Sequence, residues 1–302
     1  MKTVAAAAMA AMAGFAALAQ SAASERFFDD FAYARPAQLA EGGWTVRTAA
    51  GHPGVPGAAW RTDALELVDD GDAGNRLLRL TARTDGTGPG TVQAQLCHAR
   101  KYLEGTYAAR VRFADQPVSG ADGDPVIQTF YAVSPLRFAF DPEFSEIDWE
   151  YLGNGGWGSE RTRLYGITWQ TVRVEPWQAH NQAHEEFGAL GGAWHVLMMQ
   201  VAGGQTRWFV DGREVARHGG RNVPVVPMSI NFNLWFSPGG LLPASPVPRV
   251  YRQEVDWVFH ARGEVLGQSQ VESEVAALRR QGVPRRDTVP PAQPPLASPC
   301  DF

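Results

Sequence analysis

Ser145-Glu146-Ile147-Asp148-Trp149-Glu150-Tyr151 sets three carboxylates at alternate positions, interleaved with Ile147, Trp149 and Tyr151. Read as a β-strand, period two puts Glu146, Asp148 and Glu150 on one face and the apolar residues on the other. Trp149 is thereby assigned to the core. Three acids side by side repel one another and cost stability unless something uses or binds them. The stretch therefore marks both a half-buried strand and a site.

The sequence on either side reads the same way. From Phe27 to about His260, short β-like runs alternate with clusters of Gly, Pro, Asn and Asp, and no long amphipathic helix interrupts them. Arg76 to Ala82, Gly105 to Phe113 and Trp194 to Val201 are examples, and the spacing predicts an all-β sandwich or barrel. Asp211-Gly212, between Thr206 to Val210 and Arg213 to Ala216, is a hairpin turn signal. The style changes after Ala261. Ser269-Gln270-Val271-Glu272 has capping-box form, Val271, Val275 and Leu278 follow at helical spacing, and Gly282 supplies a stop, which predicts a short C-terminal helix. Val283 to Phe302 is Pro-rich and reads as an extended tail. Arg279, Arg280, Arg285 and Arg286 read as a solvated helix end.

Lys2, the Ala-rich apolar run from Val4 to Leu18 and the small residues at Ala17-Leu18-Ala19 have the form of an export signal, too short for a membrane span. Residues 1–19 are assigned to it, with cleavage as late as 23, and a secreted or periplasmic location is expected. With 302 residues and 44% hydrophobic residues, the chain has the material for one large core. A net charge of −5 gives no reason to expect nucleic acid or a membrane as partner. Cys97 and Cys300 are the only cysteines. In an exported protein they form either one disulfide pinning the tail to the body or two unpaired thiols.

Cleaving a glycosidic bond with retention needs a carboxylate nucleophile and a protonated carboxyl acid, about 5 to 5.5 Å apart. Residues i and i+4 on a strand have Cα atoms roughly 13 Å apart, a gap that two glutamate side chains leaning together largely close. Asp148 between them is placed to hydrogen-bond one Glu and, by crowding of like charge, to keep the other protonated. Tyr131, Trp157, Trp169, Trp177 and Trp235, several beside Gly or Pro, are the aromatic residues expected around a sugar-binding cleft.

Glu146-Ile147-Asp148-Trp149-Glu150 resembles the Glu-x-Asp-x-Glu signature of glycoside hydrolase family 16, and Tyr151-Leu152-Gly153-Asn154 extends the match. Further marks fall in the family's order: Phe28-Asp29-Asp30-Phe31, Tyr107 to Val111, Trp194-His195, Trp208 to Gly212, Pro227 to Trp235, and Val255-Asp256-Trp257-Val258. The resemblance covers roughly Phe27 to His260. It implies a β-jelly roll of two curved antiparallel sheets over residues 27–262, with residues 263–302 as helix and tail. By position, Glu146 resembles the nucleophile, Asp148 the assisting carboxylate and Glu150 the general acid/base. Tyr131, Trp157, Trp169, Asn233 and Trp235 are expected to bind substrate. The implied activity is an endo-acting retaining glycosidase on a β-linked polysaccharide: 1,3-β-glucan, mixed-linkage glucan or xyloglucan. No cofactor is required. Many members carry a structural Ca²⁺ on the convex side, where Asp256 matches the closing-strand ligand; a strand-end Asp is the other reading.

Three alternatives stand beside this one. The acids, as Ca²⁺ ligands, would make a calcium-dependent lectin-like module without catalysis. A sugar hydroxyl in place of water would make a transglycosylase. His180 and His184 suggest a metal site, yet the motif is not His-Glu-x-x-His and Pro176, Gln178, Asn181 and Gln182 predict a loop there.

Overall fold

The alternating segments become β1 (Arg26–Asp29), β2 (Trp44–Val46), β3 (Ala59–Trp60), β4 (Leu65–Asp70), β5 (Asn75–Thr84), β6 (Val92–His98), β7 (Gly105–Arg112), β8 (Val126–Val133) and β9 (Glu146–Leu152). They continue as β10 (Arg163–Arg173), β11 (Gln178–Phe187), β12 (Trp194–Ala202), β13 (Gln205–Val210), β14 (Arg213–Gly219), β15 (Ser229–Phe236), β16 (Arg249–Arg262) and β17 (Arg285–Asp287), with α1 (Gln268–Arg280) before the last. This computed structural model describes residues 24–71, 75–298 and 300. The expected export signal, residues 1–19 or as far as 23, lies outside them. Among the described residues no helix is long and apolar enough to cross a membrane.

Two curved sheets form. One runs β2–β6–β15–β8–β9–β10–β11, every pair antiparallel. The other runs β14–β13–β12–β7–β16, and the far edge of β16 is shared by β5 and β1. β4 extends β5, and β17 extends β1. This is the all-β jelly roll expected from the sequence.

The acid strand keeps its two faces apart. Ile147, Trp149 and Tyr151 are fully buried between the sheets, where each large apolar side chain contributes about 1.5–3 kcal/mol. Trp149 meets Trp208 edge-on at 5.0 Å, and Tyr151 stacks on Phe113 at 4.7 Å. Opposite Trp149 on β10 stands Gly166, and a Cβ there would lie 3.1 Å from Trp208 and 3.2 Å from Trp149. The two indoles occupy the space a side chain would need.

On the outer face of the second sheet, Val271, Val275 and Leu278 of α1 pack over Ala108, Val196, Met198, Trp257 and Phe259. The cap differs from the expected box at Ser269. The chain is still extended at Gly267, which is the N-cap, and its N–H donates to Gln270 Oε1 at 2.8 Å. At the other end Gly282, at φ 66, lets Val283 N–H reach back to Leu278 O at 3.0 Å, so the predicted stop holds. Arg279 is not solvated: it pairs with Asp30 and, at 2.7 Å, with Asp256.

The tail is held at several points. β17 pairs with β1, Lys101 Nζ donates to Asp287 at 2.6 Å and to Val289 O at 2.8 Å, and Cys97 is disulfide-bonded to Cys300 with Cα atoms 5.4 Å apart. A further departure concerns the stretch around Gln178, Asn181 and Gln182, expected as a loop. It is β11, paired with β10 along its whole length, because hydrogen bonding to a long neighbouring strand outweighs a composition poor in β-branched residues.

Candidate active site

The register of β9 lays the acids in rows across the concave sheet. Glu146 stands between Val133 and Trp169, Asp148 between Tyr131 and Ile167, and Glu150 between Thr129 and Tyr165. β15 extends these rows with Asn231 beside Tyr131 and Asn233 beside Thr129. On the other side β11 places Ala183 beside Ile167 and Asn181 beside Trp169. All of these but Asn231 line a cavity of about 600 Å³, whose wall also includes Trp157, Trp177, Trp235, Arg47 and His52. The three acids and Tyr131, Trp157, Trp169, Asn233 and Trp235 thus share one cleft. Trp157 reaches it from a tight turn in which Trp157 itself, Gly155, Gly156 and Gly158 all have positive φ, a conformation that glycine adopts without strain and tryptophan does not.

Two indoles hold two of the acids. Trp169 Nε1 donates to Asp148 Oδ2 at 2.5 Å, and Trp157 Nε1 donates to Glu150 Oε2 at 2.9 Å. Tyr131 accepts at its hydroxyl from Gln95 Nε2 at 2.8 Å and Asn233 Nδ2 at 3.2 Å. Both acceptor sites being taken, its own O–H is left to donate into the cleft. Thr129 fixes Asn233 by donating to its Oδ1 at 2.6 Å.

Burial governs the charges. Glu146 is 7% exposed and Asp148 3%. Desolvation, then the neighbouring carboxylates, push both well above the usual carboxylate range. Asp148 Oδ1 meets no N–H or O–H donor. Glu146 neighbours it on the same strand face, and the Glu146 charge adds to the rise at Asp148. Glu150 is pushed up to about 7 by desolvation, against which the Trp157 hydrogen bond acts. The cleft therefore holds two carboxyl groups whose ionisation burial opposes and, on the same strand face, a third, Glu150, protonated below neutrality.

Asp256 is elsewhere, on β16 of the second sheet, 1% exposed. Its oxygens accept from Arg110 at 2.6 Å, from Arg279 at 2.7 Å and from Asn75 Nδ2 at 2.5 Å. Two guanidinium groups against one carboxylate do not fit a Ca²⁺ site, which needs six or more oxygen ligands. Among the described residues no group of three or more His, Cys, Asp or Glu is placed to hold a metal ion. His180 and His184 lie on β11, and His184 Nε2 pairs with Glu186 at 2.7 Å.

Sequence reasoning missed Arg47, His52, Gln95, Thr129, Asn181 and Ala183. Gln93 and Gln95 alternate with Val92, Ala94 and Leu96, a pattern that announces a polar face on β6. The small residues of β11 carry no such signal.

No family model and no curated protein matches the chain. Solved structures do. A β-glucanase of Bacillus licheniformis is 16% identical with a TM-score of 0.57, covering 80% of this chain and 100% of that one. A β-1,3-1,4-glucanase (lichenase) from a mouse hindgut metagenome is 20% identical with a TM-score of 0.56, covering 78% and 98%. A family 16 enzyme of the mixed-linkage glucan locus of Bacteroides ovatus, solved with a G4G4G3G product, is 16% identical with a TM-score of 0.58, covering 77% and 98%. The chain has the jelly-roll fold of the family 16 glycoside hydrolases.

Proposed function

We propose that this chain is an exported retaining glycosidase that hydrolyses a β-linked glucan, 1,3-β or mixed-linkage. The observation that carries this reading is the placement of Glu146, Asp148 and Glu150 in successive rows on the floor of one aromatic cleft, with Glu150 protonated below neutrality as the acid step requires. Glu146 attacks the anomeric carbon while Glu150 gives its proton to the departing glycosidic oxygen, so the C–O bond breaks as a glycosyl ester forms. Glu150, now ionised, takes a proton from water, which attacks the same carbon and releases Glu146. Asp148, held by Trp169 and standing between the two glutamates, orients Glu146.

Trp157, Trp169 and Trp235 offer flat faces to the apolar faces of sugar rings, and Tyr131 and Asn233 offer polar contacts. The uncharged, aromatic lining outside the acids, Arg47 and His52 suits a neutral glucan. The similar solved structures that act on β-1,3-1,4-glucan agree with it. The disulfide favours an oxidising compartment, and residues 27–262 would form the catalytic body with residues 263–302 strapped to it. A calcium-dependent lectin would need several carboxylates converging on one point, and among the described residues no group of three or more His, Cys, Asp or Glu is placed to hold a metal ion.

The test is reducing-end release from laminarin, mixed-linkage β-glucan, xyloglucan and agarose by the mature protein beside its Glu146→Ala variant. Release by the wild type alone supports the glycosidase and names its substrate. Equal release by the folded variant, or none by either, overturns it.

A further inference from the structure

His52 and Trp177 belong to opposite edges of the concave sheet, yet their rings lie 6.2 Å apart. His52 is in the loop leaving β2, the edge strand beside β6, and Trp177 is in the turn between β10 and β11, at the other edge. In a flat sheet, six strand spacings of about 4.8 Å would hold those edges roughly 29 Å apart. Curvature brings them together, and the separation is within the roughly 4.5–7 Å range of aromatic contacts. Strands below and the two rings above therefore close a ring around the cleft.

Both halves of the bridge are anchored. Arg47 donates from Nη1 to Gln95 Oε1 at 3.0 Å and from Nη2 to the His52 carbonyl at 2.9 Å, with its guanidinium 4.3 Å from the centre of the Trp60 ring. The next part of the loop is tied to β6 by Val55 N–H donating to Gln93 Oε1 at 3.4 Å. Opposite, Trp177 packs edge-on against Trp169 at 6.0 Å, and Arg173 spans the turn to Pro176 O at 3.2 Å and Gln178 Oε1 at 2.8 Å. Trp169 in turn holds Asp148, so the bridge and the acid floor are one connected assembly.

We propose that the His52–Trp177 bridge admits polysaccharide by its chain ends. The proposal rests on the glycosidase reading above and revises the endo mode expected from the sequence. An internal segment of a long chain enters an open groove sideways, and a closed ring bars that approach. A chain end feeds beneath the bridge before the polymer is cut. His52 and Trp177 are then specificity-determining residues, and Arg47 is the positioning residue that holds His52 in place.

The experiment measures viscosity loss per reducing end released from soluble mixed-linkage β-glucan, 1,3-β-glucan and xyloglucan. Cutting at ends removes little length per event, whereas internal cuts collapse viscosity early. Because the readout is a ratio, it is independent of any change in overall rate. The wild type is expected to lose little viscosity per cut. Trp177→Ala and, separately, His52→Gly should raise that ratio several-fold on the polymer cleaved. A wild-type ratio already as steep as either variant's overturns the bridge and leaves the glycosidase intact. No reducing ends from any polymer, or from short linear oligosaccharides of the same linkages, overturns the glycosidase reading and this proposal with it.

Discussion

Trp157 Nε1 donates to Glu150 Oε2 at 2.9 Å from a residue held at φ 51, a conformation that costs a bulky side chain energy. A hydrogen bond to the ionised form of an acid lowers its pKa, so this contact restrains the rise that burial imposes on Glu150. The turn is built to aim that one indole.

The pH profile should follow. Glu150 must carry its proton to act as the acid, and with a pKa of about 7 it loses that proton as pH rises through neutrality. The kcat/KM of the wild type is expected to fall above about pH 7. Trp157→Phe removes the donor, raises the Glu150 pKa and moves that alkaline limb to higher pH; an unmoved limb in the variant would sever the link between indole and acid.

Stability should also fall as pH rises. The folded Glu150 binds its proton more tightly than the unfolded one, 4.5 rising to about 7. The fold therefore loses stability as pH climbs through that window, by up to roughly 3 kcal/mol. Glu150→Gln should melt higher than the wild type at pH 8 and close to it at pH 4, as read by thermal denaturation.

Trp169→Phe keeps the ring and removes the donor to Asp148. Losing a hydrogen bond to a buried acid costs roughly 1.5–3 kcal/mol, so kcat is expected to fall about 10- to 100-fold. Trp169→Leu should lose additional affinity for substrate, seen as a higher KM.

Asp256 gives a stability test on the other sheet. Its partners are guanidinium groups, so a chelator should leave the melting temperature unchanged. Arg279→Leu should lower stability by roughly 1–3 kcal/mol, because Asp30 and Asp256 lose a charged donor. A melting temperature that falls with chelator would contradict this account.

Cys300→Ser should cost roughly 2–4 kcal/mol, the range for a disulfide closing a long loop, here with a sequence separation of 203. Denaturant unfolding with and without reductant measures it, and the two conditions should converge for the variant.

What was legible in the sequence was whatever period and turn chemistry impose locally. Trp149 faced the core because alternation leaves it no other face, and Gly282 ended the helix because its positive φ suits glycine. The acids and their aromatic company were readable because carboxylates are costly to crowd and indoles are costly to expose. The rest depended on partners distant in sequence. β11 is a strand because β10 is beside it, and Asn181 and Ala183 line the cleft through that register alone. Arg279 looked like a solvated helix end because nothing near it in sequence announces Asp30 or Asp256. The contact of His52 with Trp177 arises from curvature summed over the whole sheet.

β1 finds both of its neighbours, β16 and β17, near the far end of the chain, and Arg26 N–H is bonded to Thr288 Oγ1 across 262 residues. Phe27 and Phe28, fully buried in the finished molecule, have no strand to join while the chain is still emerging from a ribosome or a translocation channel. Folding of this jelly roll is therefore completed only when the last segment arrives to close over the first. Until then its opening strand is sticky, exposed surface that the cell must keep apart from other chains.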